Sequence, residues 1–177
     1  MHRQQVVALF LVCFVSIQAN PDRGLVCLRN FVVNGTNLLT SYRKQILVVG
    51  VTHLGCQVCR NQAVRYNDLY RDLEYHNIRD PDIRLVLVNE ETAAQYLPGV
   101  YYGKIRLFQD SYKDRAIEKL GYYGQRLNNL IFGRCGYLVY TQTFPQSNIE
   151  DETNYQQLLR AIISVSKYKQ PCPTMCV

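Results

Sequence analysis

The sequence predicts an α/β fold, a central mixed sheet with flanking helices, and three observations carry that prediction. Residues 45–52 form a β-branched, nearly uncharged run, the pattern of a strand covered on both faces. Cys56-Gln57-Val58-Cys59 follows at once, and residues 60–76 then repeat Ala63, Tyr66, Tyr70 and Leu73 at steps of three and four, the stripe of a helix packed on one side. A second apolar run at residues 83–89 completes a strand-helix-strand unit, which implies a right-handed parallel crossover.

Taken from its start, the chain opens on Met1-His2-Arg3 and an apolar run from Val6 to Ile17, followed by the small residue Ala19 and the polar Asn20-Pro21-Asp22. Residues 1–19 therefore read as a secretory signal peptide, and the run is too short for a membrane span, which needs about 20 apolar residues. Residues 20–177 are expected to form a single domain, secreted and extracellular. Removing the signal takes away Cys13 and leaves Cys27, Cys56, Cys59, Cys135, Cys172 and Cys176, an even set that suits an oxidising compartment. It also removes Arg3, lowering the formal charge of +6 by one. Lys113, Arg115, Lys119, Lys167 and Lys169 are dispersed among neutral and acidic residues. They describe a solvated surface first and weak affinity for acidic glycans second. No dense basic run or stacking array points to nucleic acid.

Asn34-Gly35-Thr36 is the one acceptor sequence for N-glycosylation. After the first helix, residues 77–82 form a polar linker. Residues 90–96 suggest a short helix, residues 104–109 a weaker third strand, and residues 112–120 another helix that breaks at Gly121. Leu130-Ile131-Phe132 and Tyr137-Leu138-Val139-Tyr140 flank Gly133-Arg134-Cys135-Gly136 as a β-hairpin. The last helix starts near Asp151 or Thr153, with Tyr155, Leu158, Leu159, Ile162 and Ile163 on one face. Its acidic start and basic end complement the helix dipole. This order of elements is that of a thioredoxin-like fold, with the redox C-x-x-C at a strand-to-helix junction.

That junction has a chemical meaning. Unsatisfied N–H groups and the positive end of the dipole at a helix start favour a thiolate. A C-x-x-C thiol there commonly has its pKa lowered from about 8.5 to roughly 3.5–7.5. Cys56, in the turn, is assigned as the attacking thiol and Cys59, one turn into the helix, as the resolving thiol. Extracellular thiols, disulfides or peroxides are the implied partners. His53, three positions before Cys56, is a candidate proton acceptor, and Arg60 lies beside Cys59. The same spacing also serves half of a zinc site or a structural disulfide. No compact second C-x-x-C completes a zinc site, so no metal and no cofactor is assigned.

Residues 48–51 through Cys56-Gln57-Val58-Cys59, the strand Leu85-Val86-Leu87-Val88-Asn89 and, most specifically, Arg134-Cys135-Gly136-Tyr137-Leu138-Val139-Tyr140 resemble the N-terminal domain of selenoprotein P. The resemblance runs from about Cys27 to Cys176. It implies a secreted, glycosylated, thioredoxin-like module associated with selenium. By that resemblance Cys56 occupies the family's selenocysteine position and Cys59 that of its partner. The chain departs from the family in having no selenocysteine and no histidine-rich segment up to Val177. It also reads Ile105-Arg106 where an Ile-Pro is expected, and a cis-proline opposite the C-x-x-C is what holds substrate backbone in thioredoxin-like enzymes. A non-catalytic extracellular carrier, or a module binding a cell-surface receptor or acidic glycans, with an inert Cys56–Cys59 disulfide is the rival reading.

The remaining cysteines, Cys27, Cys135, Cys172 and Cys176, are read as structural. Cys27 with Cys135 would close a loop of about a hundred residues, worth about 4–5 kcal/mol in the chain-entropy picture. Cys172 with Cys176 would then close a local one. Four cysteines allow three connectivities, and the spacing does not choose among them.

Overall fold

The computed structural model describes residues 26–168 apart from Arg29, together with Cys172 and Cys176. The proposed signal peptide, residues 1–19, lies outside the described residues. Eight strands form two sheets. A short hairpin of β1 (Val32–Val33) and β2 (Thr36–Asn37) stands apart from a six-stranded sheet of order β5-β6-β4-β3-β7-β8. In that sheet β3 (Ile46–Thr52), β4 (Ile83–Asn89) and β6 (Ile105–Gln109) run parallel, and β7 (Asn129–Phe132), β8 (Leu138–Gln142) and β5 (Tyr101–Tyr102) are antiparallel to their neighbours. The sheet is mixed, as the sequence predicts, and β3 is central and buried at every position.

Each face of the sheet is covered. On one side lie α2 (Gln57–Tyr75) and α4 (Glu152–Lys167), whose Tyr66, Leu69, Leu73, Leu158 and Ile162 join Val48, Leu85, Leu87 and Ile131 in one core. On the other lie the small hairpin, α1 (Leu38–Ser41) and α3 (Ala116–Lys119), packing Phe31, Leu38, Ile117 and Leu120 on Val49, Val86 and Phe132. The alternation along β3 and β4 sends successive side chains to opposite cores. Gly50 interrupts that pattern because Tyr66 passes over it: a Cβ there would stand 2.6 Å from the phenol ring. The Tyr66 hydroxyl so placed donates to Asn129 Oδ1 at 2.7 Å, inside a buried network completed by Gln62, Gln142 and the Ser147 carbonyl.

Three expectations change. The helix expected over residues 112–120 is only Ala116–Lys119, because Asp110 turns its carboxylate back to accept from the N–H groups of Ala116 and Ile117, and Arg115 takes a left-handed conformation (φ 46°). Side-chain capping of this kind moves a helix start downstream. Residues 91–96 form a 3₁₀ turn. The disulfides are Cys27–Cys176 and Cys135–Cys172, not Cys27–Cys135 and Cys172–Cys176. The reason is where Cys176 lies: its N–H donates to the Cys135 carbonyl in the β7–β8 turn at 2.9 Å. Cys176 thus lies alongside Cys135, and each takes its sulfur partner from the other side. The same closeness explains Gly136, where a Cβ would meet the Cys176 carbonyl oxygen at 2.5 Å.

Asn34 and Gly35 form the two-residue turn of the small hairpin, both with positive φ (48° and 72°) and both exposed. The acceptor asparagine is therefore open to solvent, in the turn conformation that Asn-Gly favours.

Candidate functional site: the dithiol at the end of β3

The site is built at the carboxyl end of β3. The strand ends at Thr52, residues 53–55 make the turn, and Cys56 is the N-cap of α2. The turn is held from three directions. The Cys56 N–H donates to the His53 carbonyl (2.8 Å), the Leu54 N–H donates to Asn89 Oδ1 (2.9 Å), and Arg60 Nη1 donates to the Leu54 carbonyl (2.7 Å). Asn89 is the last residue of β4 and wholly buried; its amide also donates to Ala93 and Gln109. A single side chain thereby fixes the loop that carries the first cysteine to the neighbouring strand.

Cys56 and Cys59 are free thiols, Cys56 partly exposed and Cys59 buried. Partial burial alone would raise the Cys56 thiol. It is outweighed by the Cys59 side-chain hydrogen bond, the backbone N–H groups of Cys59 and Val58 and the positive charge of Arg126, so its pKa falls below the ordinary value. Burial, then the hydrogen bond and charge of Cys56, push the Cys59 thiol up to about 11. The accessible sulfur is thus biased toward the anion, and the buried one toward the protonated thiol.

His53 contributes through its backbone, accepting from Cys56 and donating to the Cys59 sulfur. Its ring lies 6.5 Å from that of Tyr96, with Nδ1 buried and lacking a hydrogen-bond partner among the described residues. Gly55 fits between these rings, since a Cβ there would meet both at under 3 Å. Arg60 spends its guanidinium on the Leu54 carbonyl and on Gln57 Oε1, so it braces the turn. No group of three or more metal-ligating side chains occurs among the described residues.

Arg126 and Glu90 are members of the site that the sequence did not single out. The Leu127 N–H donates to the Val51 carbonyl (3.0 Å), which sets Arg126 beside the end of β3 on the β7 side. The Glu90 N–H donates to the Thr52 carbonyl (2.9 Å) on the β4 side. Arg126 then reaches Glu90 with two parallel bonds of 2.8 and 2.7 Å. The segment before β7, rather than Ile105-Arg106 in β6, is what adjoins β3 here. The cis peptide bonds among the described residues, Asp80-Pro81 and Phe144-Pro145, both lie outside it.

No protein-family model and no curated protein matches the chain. Solved structures do. Copper-bound Sco1 from yeast is similar over 75% of this chain and 85% of its own, with a TM-score of 0.58 and 11% identity. A thioredoxin-like protein from Porphyromonas gingivalis matches 72% of this chain and 80% of its own (TM-score 0.54, 16% identity). BsSco, a member of the Sco family of cytochrome c oxidase assembly proteins, matches over 80% and 91% (TM-score 0.53, 16% identity). At these identities the likeness concerns the fold, and the fold is thioredoxin-like.

Proposed function

We propose that this protein is a secreted thiol-disulfide oxidoreductase, able also to reduce peroxides, in which Cys56 attacks and Cys59 resolves. The observation that carries the reading is the vertical pairing of the sulfurs: an accessible thiol of lowered pKa at the N-cap of α2, over a buried thiol held protonated. Two solved structures of like fold, one named for a disulfide isomerase and one for DsbF, agree with this chemistry.

In the reaction, the Cys56 thiolate attacks one sulfur of a disulfide R–S–S–R. The Cys56–S–R bond forms, the substrate S–S bond breaks, and the departing R–S⁻ takes the electron pair and then a proton from solvent. Cys59 loses its proton to the second leaving thiolate as its sulfur attacks Cys56, releasing R–SH and leaving a Cys56–Cys59 disulfide. Two electrons pass from the dithiol to the substrate. With a hydroperoxide R–O–OH the Cys56 thiolate takes the terminal oxygen, the O–O bond breaks and R–O⁻ leaves with the electron pair to be protonated as R–OH; the Cys56 sulfenic acid so formed is resolved by Cys59 with release of water. The His53 ring is proposed as the relay that carries the Cys59 proton to the second leaving thiolate.

Membership of the selenoprotein P family is proposed on the sequence motifs, with Cys56 at the selenocysteine position. Secretion agrees with the disulfides at Cys27–Cys176 and Cys135–Cys172. In an insulin-reduction assay with dithiothreitol as electron source, Cys56→Ser should fall to the rate of dithiothreitol alone; an undiminished rate would overturn the reading. The rival, a carrier or receptor- or glycan-binding module with an inert Cys56–Cys59 disulfide, draws support from the lack of a cis-proline beside β3 among the described residues. Rapid alkylation of Cys56 by iodoacetamide at neutral pH would set it aside.

A further inference from the structure

The sheet order β4-β3-β7 forces a particular geometry on the Glu90–Arg126 pair. Arg126 starts on the β7 side of β3, where the next residue, Leu127, donates to the Val51 carbonyl, and Glu90 starts on the β4 side, where its own N–H donates to the Thr52 carbonyl. To make its two bonds the Arg126 side chain must cross the carboxyl end of β3, the end from which the Cys56 turn departs. The pair is lopsided. The Glu90 side chain is 15% exposed and the Arg126 side chain 50%. Arg126 donates Nε and Nη2 to Glu90, and Nη1 has no partner among the described residues. A guanidinium with spare donors, fixed by two bonds, thus faces solvent at the mouth of the dithiol, and the less exposed carboxylate that orients it sits behind. Arg60 adds a second cation that makes no ion pair among the described residues. A planar guanidinium with free donors is the group suited to a carboxylate.

We propose that Arg126, held across the end of β3 by Glu90, is the substrate-recognition residue of the site, and that it selects small disulfides carrying a carboxylate near the scissile sulfurs. The inference rests on the thiol-disulfide reading above. The guanidinium offsets the repulsion that an anionic attacking sulfur exerts on an anionic disulfide, and it anchors the substrate carboxylate while Cys56 attacks. Covalent chemistry and electron count are those already given, with R an anionic group.

The test uses the reduced full-length protein and three probes: 3,3′-dithiodipropionate (anionic), bis(2-hydroxyethyl) disulfide (neutral) and cystamine (cationic). The readout is the second-order rate constant of dithiol oxidation at low ionic strength. Dividing each variant's anion-to-cation ratio by that of wild type removes differences in leaving group and thiolate content. Arg126→Gln should lower the ratio about five- to tenfold, Arg126→Lys should restore part of it, and 0.5 M salt should shrink the difference. The double variant Glu90→Gln/Arg126→Gln leaves no unpaired acid. It guards against a folding defect and should lower the ratio too. A ratio unchanged in both glutamine variants overturns the inference while leaving the dithiol chemistry standing. A wild-type protein inert to all three probes overturns that chemistry and the inference with it.

Discussion

The two ends of the six-stranded sheet use sulfur in opposite ways. At the carboxyl end of β3, Cys56 and Cys59 are free thiols at a helix start. At the other end, where β7 runs out at Phe132 opposite Leu47, the hairpin turn collects four cysteines into Cys27–Cys176 and Cys135–Cys172. The difference lies in what the backbone offers. At the first end, N–H groups and a guanidinium lower one thiol and burial raises the other, so the pair exchanges electrons. At the second, chain segments far apart in sequence are brought together, and bonding there restricts the unfolded chain.

The sharpest way to separate the ends is Cys59→Ser. It should abolish multiple turnover, a loss of at least a hundredfold, and trap a Cys56 mixed disulfide visible by intact mass, with the melting curve little changed. Removing Cys27–Cys176 by paired serine substitution should do the reverse. Its sequence separation of 149 corresponds to a loss of up to about 5 kcal/mol, against about 4 kcal/mol for the 37-residue separation of Cys135–Cys172, read by urea unfolding. Cys56 alkylation in the folded variants should be unaltered. Asn89→Ala blurs the division: it leaves the Leu54 N–H unpaired, costs about 1–3 kcal/mol and slows Cys56 alkylation by loosening its turn. The smallest effect is the pH profile. Iodoacetamide alkylation of Cys56 should rise through a midpoint below that of an ordinary free thiol, and Arg126→Gln should move that midpoint up. Cys59 should stay unmodified until the pH nears about 11.

Much of the fold was legible because its elements repeat a period. The strands at β3, β4 and β6, the β7–β8 hairpin and the two long helices all announce themselves by apolar spacing, and Asp151 caps α4 where the sequence placed its start. The strands β1, β2 and β5 are two residues each and α1 four, too short to carry a period. Cys56 and Cys59 were legible as a local spacing. Glu90 and Arg126 were not, since an isolated acid and an isolated arginine 36 positions apart meet only through the pairing of β4 and β7 about β3. The disulfide pairing was hidden for a similar reason: it depends on the course of the tail after α4, and no periodic pattern encodes that course.

The Cys27–Cys176 bond joins the two extremities of the domain directly. Tension applied between whatever precedes Cys27 and whatever follows Cys176 passes through two sulfur atoms and bypasses the strands. The dithiol, at the far edge, is mechanically insulated from anything the domain is tethered to.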